Sequence, residues 1–241
     1  MPGCRSGWCP SGVGVAEVIV ALDVVSPREA LQLADQLPEL RWAKIGPMLF
    51  VRGGPDLVRQ LKARGVCVFL DLKWHDIPNS VAEAVRGAAE QGVDLATVHA
   101  LGGRAMLEAA ARASDPMRLA AVSVLTSHSA SEYWETLGRR DGAAEVQDEV
   151  VRLARIAVEA GVHGVVASPL EVTVVKEVVG PDRWIVVPGI RPPGTEAGDQ
   201  RRTATPEVAV AAGATHLVVG RPIIRAERPR LVYDSICEAI A

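Results

Sequence analysis

Eight short apolar runs recur along the chain, and their regular spacing constrains its fold more than any other feature. They are rich in Val, Ile, Leu and Ala, as expected of strands that are buried on both faces. The runs span residues 18–24, 42–49, 66–72, 95–100, 119–125, 164–168, 184–189 and 217–220. Amphipathic helical patterns fill most of the gaps, for example residues 27–37, 81–91, 146–160 and 206–212. This alternation predicts a closed (β/α)8 barrel.

The main alternative fold is a doubly wound open sheet. That fold usually carries a Gly-rich turn after its first strand, whereas Asp23-Val24-Val25-Ser26 follows the first run here. No linker interrupts residues 15–241, so we expect one barrel domain there, preceded by a flexible tail in residues 1–14. Within the barrel, Ser26-Pro27 and Thr205-Pro206 each predict the start of a helix.

Composition limits the partners that the chain can bind. A net charge of −3 argues against a general affinity for nucleic acid or membranes. No apolar run reaches the length of a membrane span, and residues 1–14 lack the apolar core of a signal peptide. The four cysteines lack the spacing of a metal site and suit a reducing compartment. We therefore expect a cytoplasmic protein without a bound metal. Because aromatic residues make up only 4%, we also expect an aliphatic core.

Charged residues interrupt the first three apolar runs near their C-terminal ends. Asp23 ends the first run, Lys44 lies in the second, and Asp71 and Lys73 end the third. Residues two apart in a strand face the same side, so Asp71 and Lys73 can share a pocket. Buried charges are costly unless they are paired, which favours either a catalytic array or a structural ion-pair network at the barrel mouth.

A second polar cluster follows the last two runs. Arg191 comes directly after the seventh run, and Gly220 and Arg221 end the eighth. The loops after strands seven and eight commonly bind phosphate in barrels of this type, and Arg offers bidentate contacts to phosphate. The alternative is that both arginines pair with nearby carboxylates such as Glu196 or Asp199. The long loop of residues 192–205 is expected to act as a lid.

The remaining polar strand ends are weaker signals. Thr126 and Ser127 follow the fifth run and could either bind a polar ligand or cap a turn. His99 ends the fourth run, where a structural role is more common than that of a base. Asn79 or Ser80 could cap the helix that follows Pro78.

The segment Phe69-Leu70-Asp71-Leu72-Lys73-Trp74-His75-Asp76-Ile77-Pro78-Asn79 resembles the signature of the orotidine 5'-phosphate decarboxylase family. The resemblance covers nearly the whole chain after the tail, and the family's other motifs occur in its order. These are Ala21-Leu22-Asp23, Lys44-Ile45-Gly46, Val124-Leu125-Thr126-Ser127, Ser168-Pro169-Leu170-Glu171, Pro188-Gly189-Ile190-Arg191, Gly198-Asp199-Gln200 and Gly220-Arg221-Pro222. One departure is Leu101, which stands where a small polar residue is expected.

The resemblance implies a reaction and a role for each matching residue. The reaction is decarboxylation of orotidine 5'-phosphate (OMP) to UMP without a metal or cofactor, in the last step of de novo UMP biosynthesis. Lys73 would protonate the pyrimidine carbon, within a charged array completed by Lys44, Asp71 and Asp76. Asp76 would reach the site of a partner subunit, which implies a homodimer. The residues matching substrate-binding positions are Asp23, Thr126, Ser127, Arg191, Gln200, Gly220 and Arg221.

Three rivals share parts of this pattern. Sugar-phosphate decarboxylases and aldolases of the same superfamily share D-x-K-x-x-D but need an acidic magnesium ligand near the end of strand two, where this chain has Gly46-Pro47-Met48. A non-catalytic binder of nucleotide phosphates would have no need of the charged array. A phosphate-binding isomerase barrel would leave residues 71–76 without a role.

Overall fold

A closed parallel barrel of eight strands forms the centre of the described part of the chain. The computed structural model describes residues 16–138, 145–193 and 202–241. Consecutive strands pair in parallel, and the eighth pairs with the first, so the sheet is closed. The predicted (β/α)8 barrel is therefore confirmed, and the open-sheet alternative is excluded. The strands are β1 (Glu17–Ala21), β2 (Trp42–Ile45), β3 (Cys67–Trp74), β4 (Leu95–His99), β5 (Arg118–Val122), β6 (Gly164–Val166), β7 (Trp184–Val187) and β8 (His216–Val219).

Helices connect the strands and cover the outside of the barrel. Side chains of Ser26 and Thr205 cap two of them, as predicted, by accepting hydrogen bonds from the N–H groups of Glu29 and Val208. None of the described helices combines the length and hydropathy needed to cross a bilayer. Within the described ranges the helices are α1 (Pro27–Gln36), α2 (Pro47–Ala63), α3 (Pro78–Glu90), α4 (Gly103–Ala113), α5 (Ala130–Thr136), α6 (Val146–Glu159), α7 (Val172–Val179), α8 (Pro206–Ala212), α9 (Arg221–Ile224) and α10 (Pro229–Ala239).

Some predicted boundaries are wrong, and prolines explain two of the differences. The second strand was expected to reach residue 49, but it ends at Ile45 because Pro47 occupies the first position of α2. The predicted side-chain cap of α3 by Asn79 or Ser80 is also wrong. That helix already begins at Pro78, so the cap position falls on Ile77, which has no side-chain acceptor. The tail of residues 1–14 lies outside the described residues.

The core has two layers, one inside the barrel and one between the strands and the helices. The outer layer is mainly aliphatic, as predicted. The inner layer is also mainly aliphatic, but it includes Trp42 and Phe69 among smaller side chains, with Trp184 packed against it. The 4% of aromatic residues are thus partly concentrated where the barrel interior has to be filled, a placement that composition does not reveal.

An aromatic floor, defined here as Trp42, Trp184 and His216, closes the N-terminal end of the barrel. These are the first residues of β2, β7 and β8. The rings of Trp184 and His216 lie 4.3 Å apart between centroids, and Trp42 meets both rings edge-on. Burial lowers the pKa of His216 to about 3, so this imidazole is neutral at physiological pH. The N-terminal end is therefore packed, while the polar side chains gather at the C-terminal ends of the strands.

Candidate active site

Four charged side chains in or just after β1–β3 form a row at the C-terminal end of the barrel. Lys44 Nζ lies 2.9 Å from Asp23 Oδ1 and 3.8 Å from Asp71 Oδ2. Lys73 Nζ lies 2.9 Å from each carboxylate oxygen of Asp71. Negative and positive charges thus alternate along the row, which we call the charged row (Asp23, Lys44, Asp71, Lys73). The structure confirms the predicted convergence of these four residues.

Thr97 holds the centre of this row in place. Its hydroxyl donates a hydrogen bond to Asp71 Oδ1 at 2.9 Å and accepts one from the backbone N–H of Lys73, also at 2.9 Å. Thr97 is fully buried in β4. Both roles of the hydroxyl are used, so Thr97 fixes the Asp71 carboxylate and the Lys73 backbone together.

Lys73 has an unusual backbone conformation. Its φ is +53°, in the left-handed region that residues other than Gly seldom occupy. The pairing of β3 with β4 is irregular between Leu70 and Trp74, across the same segment. Such strain costs on the order of 1–3 kcal/mol and clusters at functional sites. The irregularity directs the Lys73 ammonium toward Asp71 while the strand continues to Trp74.

A cavity of about 220 Å³ lies over the ends of the strands. The whole charged row lines it, together with Thr126 from the loop after β5. Its apolar lining is supplied by Ala21, Phe69, Val122, Val124, Leu125, Val166, Ala167, Val186, Pro188 and Val218. A pocket that combines apolar side chains with convergent polar groups is typical of a site for a small molecule.

The cavity wall also carries two arginines, one after β7 and one after β8. Arg191, Gly220 and Arg221 line the wall after β7 and β8, as the phosphate-site prediction requires. The backbone N–H of Arg191 donates to the carbonyl of Ala204 at 2.9 Å, which fixes the start of the loop after β7. An added Cβ at Gly220 would meet the Ala21 Cβ at 3.4 Å, so the backbone approaches β1 closely there. Glu196 and Asp199, the carboxylates of the alternative reading, lie outside the described residues.

Two of the predicted site residues that the structure describes are not in the cavity wall. Ser127 is exposed beside Thr126 and is absent from the lining. Asp76 is also exposed, and its Oδ1 accepts a hydrogen bond from the N–H of Ile77 at 2.6 Å. Gln200 lies outside the described residues.

His99 stacks on His75 beside the cavity. The ring centroids are 5.5 Å apart and the rings are inclined by 21°. Burial, together with the nearby charges of His75 and Lys73, lowers the pKa of His99 to about 4. Its Nδ1 accepts a hydrogen bond from the N–H of Leu101 at 3.3 Å. A neutral imidazole that accepts from the backbone fits the structural role that the sequence favoured for His99.

Sequence reasoning missed Thr97 and a buried ion pair between Glu171 and Arg202. Thr97 does carry a signal, because it is polar and shares the inward parity of Leu95 in an apolar strand. The ion pair could not be found, since its members lie 31 positions apart in different loops.

In the part of the chain that the structure describes, no three His, Cys, Asp or Glu side chains are grouped to hold a metal ion.

Comparisons with known proteins agree on one family. A family model described as "Orotidine 5'-phosphate decarboxylase / HUMPS family" matches residues 16–236. An orotidine 5'-phosphate decarboxylase from Halorhodospira halophila is 49% identical over 95% of this chain and 97% of its own length. One from Gloeothece citriformis is 44% identical over 93% of this chain and 97% of its own. The crystal structure of orotidine 5'-phosphate decarboxylase from Lactobacillus acidophilus superposes with a TM-score of 0.82 at 35% identity, covering 93% of this chain and 99% of that one.

Proposed function

The chain belongs to the orotidine 5'-phosphate decarboxylase / HUMPS family, and from this premise we propose that it is a carboxy-lyase that converts OMP to UMP and CO2 in pyrimidine biosynthesis. The observation that carries the proposal is the charged row, gathered in one cavity together with two arginines. Curated relatives that cover nearly the whole chain carry the decarboxylase name, which favours this activity within the family.

The two walls of the cavity suit the two ends of the substrate. Arg191, Gly220 and Arg221 bind the phosphate, together with Gln200. Guanidinium groups are suited to bidentate contacts with phosphate oxygens. Asp23 and Thr126 bind the ribose, with Ser127 beside them, and the pyrimidine lies between these groups and Lys73. This orientation brings the carboxylate of OMP toward Asp71.

Lys73 is the residue that we assign to proton transfer. Loss of CO2 leaves negative charge on C6 of the pyrimidine, and this reaction has no electron sink in the ring. A fixed ammonium stabilises that charge and donates the proton that replaces the carboxylate. The 2.9 Å contacts to Asp71 hold the ammonium in position. The proposed reaction needs no metal or cofactor, because Lys73 supplies both the positive charge and the proton.

Asp71 contributes through its negative charge next to the departing group. Two like charges 4 Å apart repel by about 4 kcal/mol at an effective dielectric of 20. The repulsion disappears as neutral CO2 forms, so it lowers the barrier. Lys44, 3.8 Å from Asp71, helps to hold that carboxylate in place. We take stabilisation of the developing carbanion by Lys73 to be the larger effect.

We further propose that the enzyme is a cytoplasmic homodimer in which Asp76 completes the site of the partner subunit. Asp76 is exposed at the edge of the barrel mouth and does not line its own cavity. Its neighbour Ile77 is 66% exposed, and Leu101 exposes another apolar side chain. Apolar side chains exposed together are typical of an interaction surface. Cys67 and Cys237 keep reduced thiols, which suits a reducing compartment.

The proposed activity is tested by following the loss of OMP absorbance with EDTA present. We expect rapid turnover by the wild type and loss of at least about three orders of magnitude in kcat for Lys73→Ala, because the proton donor and its charge are both removed. Lys176→Ala is the matched control, since Lys176 lies on α7 and contacts only the Pro181 carbonyl, at 3.5 Å, among its hydrogen bonds described here.

A folded wild type that leaves OMP unchanged would contradict the proposed function. The same protein would then be assayed with magnesium and sugar phosphates, the substrates of the rival branch of the superfamily.

A further inference from the structure

A buried ion pair lies behind the cavity wall and joins three loops. Only 13% of the Arg202 side chain and 7% of the Glu171 side chain are exposed. Arg202 Nη1 contacts Glu171 Oε1, and Arg202 Nη2 donates to the carbonyl of His128 at 3.0 Å. Glu171 also accepts a hydrogen bond from the N–H of Ser168 at 3.0 Å. One guanidinium therefore connects the loop after β7 with the loops after β5 and β6.

Each of the three connected loops contributes to the cavity wall close to its contact. Thr126, two residues before His128, lines the cavity, and so does Ala167, directly before Ser168. On the β7 side, Ala204 follows Arg202 by two residues and accepts the hydrogen bond from the Arg191 backbone. Neither member of the ion pair lines the cavity itself. Their effect on a ligand must pass through the lining residues that these loops carry.

Stability alone is a poor reason for an ion pair in this place. Desolvation of two buried charges roughly cancels their attraction, so apolar residues of similar size are often as stable or more so. The pair instead fixes the relative orientation of the groups that it joins, because a planar guanidinium bonds the carboxylate and the carbonyl at set angles. We propose that Glu171 and Arg202 are positioning residues that hold Thr126 and Arg191 in the relative positions that substrate binding requires. This inference rests on the proposed function.

The location of the pair predicts which kinetic constant depends on it. The charged row is built on β1–β3 and is fixed by Thr97, with no described contact to Glu171 or Arg202. Loosening the three loops should weaken substrate binding and leave the chemical step intact. We therefore expect a rise in KM with little change in kcat, since binding that is equal in ground and transition states affects KM alone.

The decisive variant removes both charges at once. Arg202→Met combined with Glu171→Leu leaves no unpaired buried charge, although the Ser168 N–H and the His128 carbonyl each lose a partner. The protein should therefore fold, with a modestly lowered unfolding temperature. We expect its KM for OMP to rise by at least about tenfold, with kcat within about threefold of wild type. The second variant, Arg202→Lys, keeps the positive charge next to Glu171 but loses the second guanidinium nitrogen, which donates to the His128 carbonyl. We expect it to fold and to raise KM by a smaller factor.

Lys62→Met provides the matched control for lost stability. Lys62 pairs with Asp94 at 2.6 Å, and their side chains are 23% and 30% exposed. Asp94 precedes β4, at the packed end of the barrel. This variant should lower the unfolding temperature and leave KM unchanged.

Three results would overturn the inference. These are a wild-type KM in both ion-pair variants, a loss that falls on kcat instead of KM, or an equal rise of KM in Lys62→Met. A wild type that does not turn over OMP would overturn the proposed function, and this inference with it. An active wild type with unaltered variants would overturn the positioning role alone.

Discussion

At the scale of single residues, the site depends on one hydroxyl and one strained backbone. Thr97 serves both Asp71 and the N–H of Lys73, and Lys73 has a φ of +53°. The charged types at positions 71 and 73 are readable from the sequence because charges rarely interrupt an apolar strand. The strain is not readable, because it results from pairing with β4, which is distant in sequence.

Thr97→Val tests this arrangement with almost no change in shape. Valine keeps the volume but leaves the buried N–H of Lys73 without its acceptor, which costs about 1–3 kcal/mol of stability. Because Asp71 also loses a hydrogen bond, we expect kcat to fall by about tenfold or more. Thr97→Ser keeps the hydroxyl and should retain most of the activity. Steady-state OMP kinetics check this, and full activity in the valine variant would show that the hydroxyl does not organise the row.

The lowered pKa of His216 predicts that the folded protein loses stability in acid. The unfolded chain binds a proton at this imidazole near its ordinary pKa of 6.5, whereas the folded protein does so only near 3. Unfolding therefore becomes more favourable as pH falls from 6.5 toward 3, by about 1.4 kcal/mol per pH unit for each such group. His99 and His163, whose pKa values burial lowers to about 4, add to the same trend down to that pH.

Urea unfolding at pH 7, 5 and 4 measures this dependence. In His216→Gln the slope of unfolding free energy against pH should be shallower than in the wild type by about 1.4 kcal/mol per unit. Equal slopes in the two proteins would exclude His216 as a source of acid sensitivity.

At the scale of elements, the order of strands and helices was predictable and their ends were less so. All eight predicted strands exist because apolar runs and turn residues are local signals. The observed strand ends differ from the predicted ones where pairing with a neighbouring strand determines them. For example, β3 continues to Trp74, beyond its predicted end at residue 72. In the site, the charged row and the arginine wall followed from strand-end positions. The Glu171–Arg202 pair did not, since loop-to-loop contacts leave no periodic pattern.

Two glycines in different elements should respond to alanine with opposite signs. An added Cβ at Gly164 in β6 would lie 2.5 Å from the Trp184 carbonyl oxygen, so the strands would have to separate. We expect Gly164→Ala to destabilise the protein by about 1–3 kcal/mol. At Gly87 in α3 the added Cβ would meet nothing within 4 Å, and Gly87→Ala should stabilise by about 0.5–1 kcal/mol. Thermal unfolding of both variants checks the pair, and a shared sign would contradict this account of the packing.

At the scale of the whole molecule, the barrel separates stability from chemistry. The aromatic floor packs one end, and the charged row and the arginines occupy the other. Asp76 lies at the active end, is exposed and does not line its own cavity. That position supports the proposed sharing of sites between two subunits.

Mixing two inactive proteins tests the shared site. Lys73→Ala and Asp76→Ala each damage a different part of the site, so a hybrid dimer would contain one site with both residues intact. We expect the mixture to recover up to about a quarter of wild-type activity per site, if the subunits exchange randomly. Exchange is first demonstrated with differently tagged subunits, and each variant incubated alone is the control. Demonstrated exchange without recovered activity would refute the shared site.

The positions of the charged groups in the cavity give it a direction. The carboxylate of Asp71 lies in the charged row, and the guanidinium groups of Arg191 and Arg221 belong to the wall after β7 and β8. A ligand with its anion at one end is therefore favoured with that end toward the arginines. An analogue whose strongest negative charge lay at the other end would meet the carboxylate of Asp71. The cavity thus sorts ligands by the direction of their charge as well as by its amount.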